Sequence, residues 1–231
     1  MCSRYTITKE MSELKERFSI EEEEYYRPRY NAAPSHLLPV VTLENPERVS
    51  FYHWGVTPEW SNKKSISKKL YSILNSEVTR KPSFKKALNS YRCLVPADSF
   101  YVWKKITKKR EIPYRVSLSN NKLFSMPALY EEYENEDGEV KHTFTIVVSV
   151  ANDALRQFED TMPVIFDSEK ENIWMNDDSS EDELLDLLAI SSEPVDYYPV
   201  SPQINDIDKD SKLLIQPSTP ADQFGNYSLF D

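Results

Sequence analysis

From Tyr91 to Val150 the chain reads as strand after strand: YRCLVPADSFYVWKK, IPYRVSL, LFSMPALY and, beyond the turn NEDG, KHTFTIVVSV. β-branched and aromatic residues crowd these runs, as a pleated, half-buried surface requires. That stretch commits the fold to a sheet core, and the other segments have to pack around it. Residues 8–18, TKEMSELKERF, set Met11, Leu14 and Phe18 on one helical stripe, with Thr8 as the expected cap. SFKKAL (83–88) behind Pro82, ANDALRQF capped by Asn152 or Asp153, and SSEDELLDLLAI add three helical patterns. LLPVVTL and RVSFYHWGV form a strand pair across ENPE, and VDYYPVS reads as a closing strand. EEEEYYRPRYNAAPS runs extended, because Pro28 and Pro34 exclude a continuous helix. No repeat or linker divides the 231 residues. The expected fold class is α+β: a single domain over residues 1–231, with a mainly antiparallel, barrel-like sheet and flanking helices.

Composition narrows the function classes. Three glycines cannot build a glycine-rich phosphate cradle, and no G-x-S-x-G elbow of a serine hydrolase occurs. His36, His53 and His142 share no ligand spacing with each other or with Cys2 and Cys93, so neither a metal nor a cofactor is expected. No apolar run approaches the ~18 residues of a membrane span, and no secretory leader opens the chain. Two cysteines are too few for a disulfide framework, which points to a reducing, cytoplasmic setting, with Cys93 a small buried hydrophobe. The net charge of −10 argues at first against nucleic acid. The charge is uneven, however: residues 60–115 hold 15 Lys/Arg against 3 Asp/Glu, and the remainder holds 13 against 35. A basic middle segment can present one positive face to phosphate; its alternative is a solvated lysine-rich surface.

MCSRY places Cys2 where removal of Met1 makes it the N-terminus. An N-terminal cysteine carries an α-amine and a thiol two carbons apart. The amine condenses with an aldehyde to an imine, and the thiol closes on the imine carbon as a five-membered thiazolidine. Reference pKa values of about 7.7–8.0 for the amine and about 8.5 for the thiol leave useful fractions of each nucleophile near neutral pH. The plainer reading is that position 2 tolerates any small residue.

Downstream motifs bear on that choice. MCSRY, RYNAAPS (29–35), FYHWGVTPEW (51–60), KPSFKKAL (81–88) and RCLVPADSFYVWKK (92–105) occur in one order. MPALYE (126–131), MPVIF (162–166) and YYPVSPQIN through LLIQP (ending at 217) continue it. End to end, this series resembles the SOS-response-associated peptidase family, also called the abasic-site shielding proteins. The resemblance implies a barrel-like α+β domain with a positive cleft for single-stranded DNA. It implies that Cys2 is the nucleophile that forms a thiazolidine with the ring-opened sugar of an abasic site. It further implies that Arg4 contacts phosphate, that Asn31 and Pro34 line the cleft, and that Asn75 holds the opened sugar. Trp54, Ser149 and Thr161 complete the expected DNA-facing set, and Trp60, Tyr101 and Trp103 are further candidates for base stacking.

The chain departs from the family pattern at two places. Where the family motif F-Y-E-W carries a glutamate for acid/base work, this chain has Val102. Where the H-x-R-M-P motif supplies a histidine and an arginine, it has Glu159 and Thr161. Valine moves no proton, whereas Glu159 can if burial raises its pKa. The expectation is therefore a monomer that captures abasic sites in single-stranded DNA through Cys2, with Asn75 and Glu159 as further catalytic residues and weakened proton transfer. It is expected in the cytoplasm, nucleoid-associated when bound to DNA. Two rivals stand beside it: a non-catalytic binder of single-stranded nucleic acid, and a thiol-dependent peptidase that acts on the residue ahead of Cys2.

Overall fold

Both edges of one eleven-residue strand, β10 (Val140–Val150), are used along most of its length, and this organises the molecule. The computed structural model describes residues 3–21, 25–55, 70–134 and 138–226. The first half of β10 pairs antiparallel with β9 (Phe124–Glu134), and β9 pairs with β6 (Arg92–Ala97). β6 pairs with β3 (Leu37–Thr42), β3 with β4 (Ser50–Trp54), and β4 returns in parallel to Thr143 and Phe144 of β10. These five strands close on themselves, so the barrel leaves no free edge. Beyond the closure the end of β10 carries β5 (Ser72–Leu74) on one side and β11 (Thr161–Pro163) on the other.

A second sheet is antiparallel throughout, in the order β12 (Val195–Pro199), β8 (Arg110–Leu118), β7 (Ser99–Thr107), β1 (Tyr5–Ile7), β2 (Arg29–Ala32). β6 passes into β7 through Asp98, so the two sheets share one continuous stretch of chain. β7 faces two interiors. Phe100 and Val102 enter the main core, while Tyr101 and Trp103 pack with Val200, Ile204 and Leu214 on the other face. The alternation of a strand with period two produces this division.

Among the described residues four helices flank the sheets: α1 (Met11–Phe18), α2 (Pro82–Ser90), α3 (Ser168–Trp174) and α4 (Glu181–Leu187). α1 buries Leu14 and packs Met11 and Phe18 against the core, as its stripe requires. Its cap is Glu10, in a reciprocal capping box with Glu13; the Thr8 hydroxyl donates to Asp98 instead. ANDALRQF forms hydrogen-bonded turns rather than a helix. Asn152 Oδ1 accepts the Leu155 N–H as a cap does, but the chain returns to strand at Thr161 before a helix can propagate. α3 was not anticipated; Asp167 caps it and Trp174 anchors it edge-on against Phe166. Arg92, 1% exposed, donates to the carbonyls of Leu88, Asn89, Trp174 and Asn176, tying the ends of α2 and α3 to the barrel. Cys93 is fully buried, and burial pushes its thiol pKa far up. Among the described residues no helix is long and apolar enough to cross a membrane.

Candidate functional site at the chain tip

The first described residues are fixed by a buried polar corner. Asp98 accepts the Thr8 N–H at 2.7 Å and the hydroxyls of Thr6 and Thr8, and Arg115 lies 3.6 Å from it. The Asp98 N–H donates to the Thr6 carbonyl at 3.0 Å, and the Tyr101 N–H to that of Arg4 at 3.1 Å. β1 is therefore held against the β6–β7 bend, and Ser3 and Arg4 emerge beside β7 in a defined place.

A cleft of about 300 Å³ opens there. Ser3 and Arg4 border it at the head of β1, and Trp103 and Lys105 border it from β7. Glu111 of β8, Glu159 and Asn205 complete its lining. Lys105 and Glu111 are cross-strand partners, so a cation and a carboxylate stand side by side at its rim. Arg4 and Glu159, far apart in sequence, thus share one cavity. Cys2 lies outside the described residues, but one peptide unit separates it from Ser3, a span of about 3.8 Å.

The structure moves three of the expected DNA-facing residues inward. Asn31 is fully buried, and its Nδ2 donates to the carbonyls of Ile204, Asp206 and Lys209 at 3.2, 2.9 and 3.0 Å. Asp210 reciprocates by accepting the backbone N–H groups of Tyr30 and Asn31 at 2.6 and 3.0 Å. Asn31 therefore shapes the cleft from beneath, by bolting down the loop that carries Asn205. Trp54 is fully buried too. It packs on Tyr5, Tyr71 and Phe144, and its Nε1–H donates to the Tyr71 carbonyl at 2.7 Å, which leaves no ring face for a base. Ser149 is buried at the end of β10, with its hydroxyl donating to the Val150 carbonyl at 3.1 Å.

Ser149 nevertheless marks a second grouping. Leu74 sits opposite Val148 on one edge of β10 and Thr161 opposite Val150 on the other, so Asn75, Ser149 and Thr161 converge at that strand end. Asn75 opens the 3₁₀ turn Asn75–Glu77, and its Nδ2 donates to the Leu188 carbonyl at 2.8 Å. Thr161 is half-buried, two residues beyond Glu159. Pro34 is half-buried in the turn after β2, where the Ser35 N–H donates to the Trp54 carbonyl at 2.8 Å. Val102 is 3% exposed within the main core, a position closed to proton exchange with solvent.

His36, from the same turn, is held below its ordinary pKa by burial and by Arg29 and Arg4. Its Nδ1 faces the Arg29 guanidinium at 2.9 Å and the Ala33 N–H at 3.3 Å; two donors on one nitrogen make that nitrogen an acceptor and put the proton on Nε2. Among the described residues the cations of the basic middle segment are divided between several places. Arg92 is spent in the core and Arg115 on Ser99, Tyr198 and Asp98. Lys81, Lys85 and Lys86 ride on α2, whereas Lys104, Lys105, Lys108, Lys109 and Arg110 gather on the β7–β8 hairpin beside the cleft. Lys63, Lys64, Lys68 and Lys69, like Trp60, lie outside the described residues. Tyr101 is buried, its hydroxyl donating to the Tyr30 carbonyl at 2.8 Å, so of the candidate stacking rings Trp103 is the described one that borders the cleft. Among the described residues no cluster of His, Cys, Asp and Glu has the arrangement of a metal site.

Lys105, Glu111 and Asn205 carried no sequence signal as site residues. Asn205 ends the quoted stretch YYPVSPQIN, and only the folded return of that stretch onto β7 reveals its place.

Comparison with known proteins agrees with this architecture. A crystal structure of a Bacteroides thetaiotaomicron protein superposes with a TM-score of 0.83, at 21% identity, over 94% of this chain and all of that one. One from Bordetella bronchiseptica gives 0.72 at 20% identity, over 87% of this chain and all of that one. Both establish the fold alone. Among curated proteins, the abasic site processing protein YoqW of Bacillus subtilis is 33% identical over 94% of this chain and 99% of its own length. YoaM of the same organism, also named an abasic site processing protein, is 31% identical over 93% and 97%. The abasic site processing protein HMCES of Xenopus tropicalis is 26% identical over 78% of this chain and 63% of its own length. Residues 1–207 match the family described as SOS response associated peptidase (SRAP), and this chain belongs to that family.

Proposed function

We propose that this protein processes abasic sites, and that it does so by capturing the ring-opened sugar aldehyde of single-stranded DNA on Cys2. The relatives named for abasic-site processing support the broad activity. The observation that carries the chemistry is the position of the cleft. It opens at the head of β1, one residue from Cys2, and is bordered by Arg4, Lys105 and Glu159. Arg4 and Lys105 supply cations for phosphate oxygens. The Cys2 amine adds to the aldehyde and expels one water as the imine forms. The thiol sulfur then adds to the imine carbon while its proton passes to nitrogen, which gives the thiazolidine. Glu159 is the group placed to move these protons.

Positioned acids and bases typically contribute about 10²–10⁴-fold. With Val102 closed in the core, one of the family's two proton-transfer positions is silent, and capture is slower than in relatives that keep both. Arg4 and Lys105 argue for binding even where the chemistry is slow, which gives the non-catalytic reading its footing. One experiment separates them. Met-processed protein and its Cys2→Ala variant are incubated with an abasic single-stranded oligonucleotide and resolved on a denaturing gel. A Cys2-dependent shifted band supports capture. Binding on a native gel without that band supports the non-catalytic binder, and loss of both refutes the DNA reading.

A further inference from the structure

Asn205 is oriented on one side and unsatisfied on the other. Its Oδ1 accepts the Trp103 Nε1–H at 3.0 Å, which fixes which end of the amide is oxygen. The Nδ2 group is thereby directed away from Trp103, and it is buried without a hydrogen-bond partner among the described residues. Buried donors are paired almost everywhere in folded proteins, and an exception calls for an acceptor that the described residues do not supply. Asn205 borders the chain-tip cleft together with Arg4 and Glu159.

The residue is not free to turn away. It closes the 3₁₀ turn Pro202–Asn205, whose Ile204 is fully buried against Trp103 and Tyr101. The Asn31 amide grips the carbonyls on either side of it, at Ile204 and Asp206. Backbone and side chain are both held, so the donor is preorganised.

We propose that Asn205 Nδ2 donates to an oxygen of the ring-opened abasic sugar and so selects the open form in the cleft. Arg4 and Lys105 border the same cleft and, on the capture reading, take the charged phosphate oxygens. A neutral amide adds little to that attraction, but it discriminates by geometry for a hydroxyl in one place. Ring opening frees a sugar hydroxyl that is tied up as the ring oxygen in a closed sugar. Asn205 thus recognises the lesion rather than the strand. This rests on the capture function proposed above.

The test uses equilibrium binding of single-stranded oligonucleotides with two non-electrophilic lesions. One is a borohydride-reduced abasic site, open and carrying free hydroxyls; the other is the closed tetrahydrofuran analogue. The unsubstituted protein is expected to prefer the open strand by about tenfold, the worth of one good hydrogen bond. Asn205→Ala removes the donor and, unlike a carboxylate, offers the freed hydroxyl no acceptor of its own. It should lose the preference while still melting cooperatively. Retention of the preference in Asn205→Ala, equal weakening on both strands, or no preference in the parent overturns the assignment. A parent that prefers the open strand yet gives no Cys2-dependent band with a natural abasic site upholds Asn205 and refutes capture.

Discussion

Replacing Asn31 by alanine separates a scaffold from a DNA contact. The Asn31 amide supplies the hydrogens received by three carbonyls of the loop 204–209, and the carbonyl of Ile204 is bonded inside the protein. Alanine leaves these acceptors to water or to nothing, at about 1 kcal/mol net for each bond. Part of this is returned, because the Asn31 Oδ1 is itself buried without a partner and is removed with the side chain. The expected loss is about 2 kcal/mol, which for a chain of this size lowers the thermal midpoint by roughly 4–8 °C. Since the loop carries Asn205, exchange of its amide hydrogens should accelerate around 203–210. Binding to intact single strands should change far less than the open-over-closed preference. The assay is a thermal melt with site-resolved hydrogen exchange, followed by binding to the two lesion strands. A midpoint within about 1 °C of the parent, with unchanged exchange but weakened binding to every strand, refutes the scaffold role and returns Asn31 to the DNA surface.

Other consequences are equally accessible. Gly55→Ala places a Cβ 2.3 Å from the Tyr71 Cα at a φ of +68°, so the variant should melt well below the parent; an unchanged melt contradicts the close packing of β4 on the segment after residue 70. His36 has a folded pKa below its free value of 6.5, so the unfolded chain takes up protons first. Stability should therefore hold above about pH 6.5 and fall as pH drops from there to the folded value, and His36→Gln should flatten this dependence in urea titrations. For Asp222 burial alone would raise the carboxyl pKa, but hydrogen bonds from Asn226, Arg110 and Phe224 outweigh it and bring it to about 2. That anchor of the β7–β8 hairpin should persist above pH ~4 and weaken between there and about 2, read as proteolysis near Lys108 and Lys109. Glu159→Gln should slow covalent capture at least tenfold with little change in reversible binding, the signature of proton transfer; a parallel loss of affinity points to a binding role.

Much of the sheet core was legible because its strands satisfy a local rule. Alternation marks β6 to β10 and β3 with β4 without reference to the rest of the chain. The barrel-like form of the sheet was legible too, but the pairing that closes it was not, since it depends on Thr143 and Phe144 meeting His53 and Trp54 across a long separation, a register that no local pattern encodes. β1, β5 and β11 have three residues each, too short for any periodicity to show. The site divides in the same way. The terminal position of Cys2 and its neighbour Arg4 are visible as sequence, and Glu159 stands out as a departure from the family pattern. Burial of Asn31, Trp54 and Ser149 follows from which face of a strand each occupies, and Asn205 enters only through the return of the C-terminal segment onto Trp103.

Intact mass spectrometry, without added reductant, tests the central chemistry most directly. Protein lacking Met1, mixed with a single-stranded oligonucleotide bearing one natural abasic site, should yield a species whose mass is the sum of the two less one water. The Cys2→Ala protein, able to form only a reversible imine, should yield a covalent species only when borohydride is present, and that species is two hydrogens heavier because the imine is reduced to an amine. An adduct that survives without reductant in the alanine protein, or none with cysteine, contradicts thiazolidine capture.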